Sequence, residues 1–260
     1  MNGFAGVMAL VLAETLVGAS LLTWGSPLWR ETKRSFFTIW TVIMVALFAW
    51  PAWWSAKLGA LPGDAAAANG VRLALVTAIV LTIAMLCLLA RWQTPGRVAG
   101  IVATVGAFAT LVALAPTGRQ NVGLSLFQLL AGAAFLGAAY DALFLGHWYL
   151  TDRKLTRVPI NRLTNVLIAA TCVEVVAIAT GGFAGTPSSQ AFNPLLTAGA
   201  LAPWIAIGMT GTTLLIAALA RAALKGDRAS AVQSATGFFY LSLVTAFTAE
   251  IAVKTRFFPT

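Results

Sequence analysis

Eight runs of about 20 predominantly apolar residues follow one another along the chain, with only short polar breaks between them. A helix needs roughly 20 such residues to cross a bilayer, because each adds about 1.5 Å of rise to a hydrocarbon core about 30 Å thick. The runs fall at about 3–24, 36–56, 72–91, 97–115, 122–150, 163–183, 195–221 and 231–253. Once they are placed, little is left for a water-soluble body. The reading is therefore an all-α polytopic transmembrane helical bundle of about eight spans, a single integral membrane domain over residues 1–260. Composition agrees: 59% hydrophobic and 10% charged residues, with a mean hydropathy of +0.86, lie outside the soluble range.

A formal charge of +9 could suggest nucleic acid, but the basic residues sit in connectors, where they act as orientation signals, so no nucleic-acid partner is expected. Alternating the connectors gives twelve Lys and Arg on one side, with the densest run at Arg153, Lys154, Arg157 and Arg162. The other side receives five, Lys57, Arg72, Arg119, Lys254 and Arg256. The richer side is read as cytoplasmic, which places both termini outside in a bacterial inner membrane. Trp24, Trp29, Trp92, Trp148 and Tyr149 mark the inner headgroup level, and Trp50, Trp53 and Trp54 the outer one. The first run has no basic start and carries Glu14, so a cleaved signal peptide is not expected.

Small residues are dense around Ala131 to Tyr140, and in ALAPWIAIGMTGTT, which lets helices approach closely. Acid, aromatic edge and basic connector recur in ETLVGASLLTWGSPLWRETKR and YDALFLGHWYLTDRKLTR, an echo that fits either a four-plus-four duplication or the common look of inner membrane edges. Cys87 and Cys172 stand alone in apolar runs and read as packing residues. A haem held by two histidines needs two in the membrane, and the chain has one. No haem or metal of its own is expected, nor is there a phosphate-cradling loop or nucleophile elbow.

Four acids fall inside the spans: Glu14, Asp141, Glu174 and Glu250. An acid at mid-membrane costs roughly 2.5–3.5 kcal/mol on insertion scales, so it is expected to face the bundle interior. These four are candidates for proton transfer, or else for buried polar ties between helices. Lys254, one turn beyond Glu250, can pair with it. On the fifth span Tyr140, Phe144 and His147 share one stripe, and Asp141 stacks with Leu145 and Trp148 about 100° away. A histidine beside aromatics near the membrane edge suits a quinone headgroup, whose carbonyl needs a donor and whose quinol needs a proton acceptor. His147, Tyr140, Phe144 and Trp148 are the candidate quinone residues; the alternative is a histidine satisfied by a neighbouring helix or by Asp152.

The last span, SATGFFYLSLVTAFTAEIAVKTRFF, opens on aromatics and closes on an acid, a base and aromatics. This pattern, with eight spans and outside termini, resembles the membrane-anchor subunits of the DMSO-reductase and polysulfide-reductase type. The resemblance implies a quinone-interacting subunit without a redox centre, passing electrons to or from an iron–sulfur partner. Glu250 and Arg256 would be the acid and base of the closing pattern, while Ala249 stands where that family has glycine.

The leading expectation is thus an integral membrane subunit of a bacterial respiratory or photosynthetic electron-transfer complex. It would anchor partner subunits within lipid, bind quinone, menaquinone or ubiquinone, and not be catalytic alone. The alternatives are a cofactor-free structural subunit and a small proton-coupled transporter lined by Glu14, Asp141 and Glu174.

Overall fold

The computed structural model describes residues 1–118, 120–152, 154–181, 201–226 and 230–257, without the side chain of Arg256. The described residues form helices and turns with no strand. Among the described residues eight helices are long and apolar enough to cross a membrane: α1 Gly3–Gly25, α2 Arg34–Gly59, α3 Ala65–Leu89, α4 Gln93–Thr117, α5 Val122–Thr151, α6 Val158–Gly181, α7 Leu201–Ala223 and α8 Ser230–Lys254. The protein is an all-α integral membrane bundle. The start expected for the seventh span, at 195–200, lies outside the described residues, as does most of the uncharged connector before it.

The helices close into two rings of four. In the first, α1 packs on α2 and α4, α2 on α3, and α3 on α4; in the second, α5 packs on α6 and α8, α6 on α7, and α7 on α8. The same order of neighbours in both halves matches the four-plus-four echo in the sequence. The rings join along α1 and α5, and one hydrophobic core runs through both. These two helices are the most enclosed, with 78% and 61% of their most apolar windows buried against 33% for α3 and α7.

Glycine makes that central contact possible. A methyl group built on Gly18 would overlap the Ala133 carbonyl oxygen, and one on Gly137 would overlap the backbone of Gly18. In lipid, where apolar surface gains nothing by leaving a solvent that is itself apolar, such close backbone approach supplies the packing that holds helices together.

Local sequence sets the helix ends. The Asp64 carboxylate caps α3 by accepting from the Ala67 amide at 2.9 Å, and the Asn121 side chain caps α5 through the Gly123 amide at 2.8 Å. At the far end of α3 the Trp92 amide donates to the Cys87 carbonyl, and the Arg91 amide to that of Leu88. This paired closure puts Arg91 at φ 69°, a left-handed position that usually belongs to glycine. In α2 a π turn, Val45–Ala49, precedes Pro51. Buried threonines such as Thr15, Thr41, Thr164 and Thr171 donate to the carbonyl four residues back, so their hydroxyls are satisfied within their own helices.

Candidate functional site: a buried carboxyl and ammonium cluster

Three of the four intramembrane acids meet in one place. Glu14 from α1, Glu174 from α6, and Glu250 and Lys254 from α8 are all fully buried. The Lys254 ammonium lies 2.7 Å from Glu14 Oε1 and 2.8 Å from Glu250 Oε2. The pair expected one turn apart on the last span is therefore formed, and Glu14 joins it from the other ring. The Gln128 carbonyl oxygen on α5 lies 3.4 Å from the same ammonium. Gly132 makes the room: a Cβ there would stand 2.8 Å from Glu14 Oε1 and 3.0 Å from Glu250 Oε2.

Glu174 completes the group differently. Its carboxyl faces that of Glu250, yet among the described residues neither of its oxygens receives an N–H or O–H. Two ionised carboxylates cannot bond to one another; with one proton between them they can. The cluster sits towards the face that carries both chain ends, opposite the positively charged connectors.

The structure corrects the sequence reading of Lys254. Counted there among the connector charges of the outer side, it is instead the last residue of α8 and 0% exposed, held inside the bundle by carboxylates from two helices.

Asp141 stands apart from this group, nearer the positively charged face. The Trp40 indole N–H donates to Asp141 Oδ1 at 2.8 Å, and the Thr23 hydroxyl to Oδ2 at 3.0 Å, so the carboxyl ties α1, α2 and α5 together. Between the two centres lies the Gly18 and Gly137 contact, where the backbones leave no space for a side chain. At that same positively charged face Asp152 pairs with Lys33 at 3.0 Å, and Arg162 with Glu31 at 3.3 Å.

The expected quinone residues point to two different neighbours. Tyr140 stacks on Phe144 and packs against Phe48 and Trp40, while Phe144 and Trp148 both lie edge-on to Phe36; these three serve the interface with α2. His147 turns to α8 instead. Its Nδ1 lies 3.1 Å from the Leu143 carbonyl, and its Nε2 is hydrogen-bonded to the Tyr240 hydroxyl. Tyr240 is half exposed at the lipid-facing surface, with the two rings 4.8 Å apart and nearly perpendicular. The neighbouring-helix partner is thus Tyr240, and Asp152 is engaged elsewhere.

The sequence reading missed Tyr240, Trp40, Thr23 and Gln128 as partners of these groups. A buried glutamine in an apolar run was the one visible signal among them. Comparison with protein-family profiles, with curated proteins and with solved structures finds no match. The fold and the buried cluster define an eight-span integral membrane protein with a polar centre inside its bundle.

Proposed function

We propose that this chain is a proton-handling membrane protein, in which the Glu174 and Glu250 carboxyls share, take up and release a proton. The observation that carries the reading is Glu174: fully buried, facing a second carboxyl, and, among the described residues, without a donor to either oxygen. Leaving such a group ionised and unmatched in a dry interior is expensive, whereas a shared proton removes the repulsion and supplies the missing hydrogen bond. Lys254, itself paired with Glu14, holds the second carboxyl in place. The test is infrared difference spectroscopy between neutral and acidic pH on the purified protein. A carboxylic C=O band that vanishes in Glu174→Gln supports the reading, and a spectrum identical in wild type and variant rejects it.

A second reading rests on His147 and Tyr240, which join a ring nitrogen and a phenol at the lipid-facing edge of α5 and α8. A quinol arriving from the bilayer would donate to the Tyr240 oxygen, and Tyr240 would pass its own proton to His147 Nε2 as the electrons leave to the partner subunit. In this reading the chain is the quinone-interacting subunit of a bacterial inner-membrane electron-transfer complex, anchoring its partners as the resemblance to DMSO-reductase and polysulfide-reductase anchors implies. Quinol-dependent turnover of the purified assembly should then fall in His147→Ala and Tyr240→Phe; unchanged turnover in an intact assembly excludes it.

A further inference from the structure

Away from the buried cluster, at the positively charged face, the start of α2 and the end of α3 enclose a groove of about 450 Å³. Lys33, Arg34 and Arg91 supply cations at its polar end, Ser35 a hydroxyl, and Ile39 and Leu89 an apolar flank that is open to lipid. We propose that this groove binds the phosphate of an anionic glycerophospholipid, with the acyl chain lying along Ile39 and Leu89.

Four observations converge on that ligand. First, the charge is available: Lys33 is shared with Asp152, but among the described residues Arg34 and Arg91 make no ion pair. Second, Arg34 is held in place, because its guanidinium donates to the Leu88 carbonyl at 2.9 Å and thereby faces the groove from a fixed position. Third, no side chain caps the N terminus of α2, so that end of the helix presents its positive pole at the same place. Fourth, Arg91 occupies a left-handed position at φ 69° where glycine would be free of strain. A charged side chain placed there puts a cation at the rim at a cost to the backbone.

Depth fits as well. Trp92 is exposed beside the groove, and Trp29 lies beneath the Arg97 guanidinium at 5.1 Å, both at the level where tryptophan marks the headgroup region. A mixed site of clustered cations and an adjoining apolar wall matches a lipid that carries its charge at one end.

The experiment is native mass spectrometry of the full chain released from detergent, titrated with dioleoyl phosphatidylglycerol, with dioleoyl phosphatidylcholine, and with inorganic phosphate. Wild type should hold one phosphatidylglycerol in preference to phosphatidylcholine. Arg91→Gly should weaken that binding about fivefold, the worth of one cation near a charged lipid, while leaving the thermal midpoint equal or higher because the strained position is relieved. Arg34→Gln should weaken it similarly, and Arg72→Gln, at the opposite face, should not. Equal retention of both lipids, binding unaffected in Arg91→Gly, or inorganic phosphate bound as tightly as the lipid would each overturn the proposal.

Discussion

Lys254 and Glu14 come from opposite ends of the chain and meet at 2.7 Å with neither side chain exposed. Their contact ties α8 to α1, and so joins the second ring of helices to the first. A buried ion pair adds little when compared with a well-packed apolar substitute, but removing one partner strands the other in a medium that cannot solvate it.

Replacing Lys254 with Met should therefore destabilise the protein by roughly 3–5 kcal/mol. Part of that loss should return when Glu250→Gln is added, since the second change removes a stranded charge. Thermal unfolding in detergent measures both; a single variant as stable as wild type would contradict the role given to Lys254.

Gly137→Ala places a methyl group into the Gly18 backbone. Overpacking of this kind costs about 1–3 kcal/mol where neighbours can yield, and here the neighbour is backbone. The variant should assemble poorly in a detergent-stability assay. Gly208→Ala, with nothing within 4 Å of the added carbon and a better helix former in place of glycine, should be at least as stable as wild type.

Asp141 depends on two donors, so Trp40→Phe and Thr23→Val each leave one oxygen of a buried carboxyl without its hydrogen bond. Each should cost about 1–3 kcal/mol. Because both act through the same carboxyl, the double variant should depart from the sum of the singles. Strict additivity in a double-mutant cycle would mean that the two bonds are not coupled through Asp141.

The Asp64 carboxyl, at the start of α3 and outside the span, is held below its ordinary value, first by the Ala67 amide that it accepts from. A carboxyl depressed in the folded protein stabilises it fully above the unfolded value near 4, and the contribution fades as pH falls through the lower folded value. Asp64→Ala should cost about 0.5–2 kcal/mol at neutral pH and much less under strongly acidic conditions. Hydrogen exchange at the amides of Ala66 and Ala67 across that range is the check; a difference that persists undiminished in acid would refute it.

Apolar length alone made the eight spans legible, because a run of 20 such residues has few other fates. Boundaries slipped where polar residues continue a helix into the headgroup region. The third span was expected from Arg72, yet Asp64 caps it and the alanines after it are helical from Ala65. The sixth begins at Val158, with Pro159 in the first turn where its missing N–H costs nothing. The Glu250 and Lys254 pair was readable because helical spacing dictates it. Which helices then stand beside it was not, since periodicity gives a face of each helix and says nothing of its neighbours. For the same reason the approach of Glu14 and Glu174, the bond from Trp40 to Asp141, and the partner of His147 emerged only once the helices were arranged in space.

The π turn of α2 has a consequence for how that span meets its neighbours. Its buried residues Phe36, Trp40, Met44, Phe48, Ala52 and Ala56 recur at every fourth position, a spacing that in a regular α-helix would wind about 40° per step away from a fixed line. The widened coil at Val45–Ala49 takes up a residue without a full rotation, which slows that winding and keeps both halves of the rod turned inward. Excising one residue there would shorten the loop of backbone back to ordinary pitch, and the tryptophans beyond it would swing to a different side of the bundle.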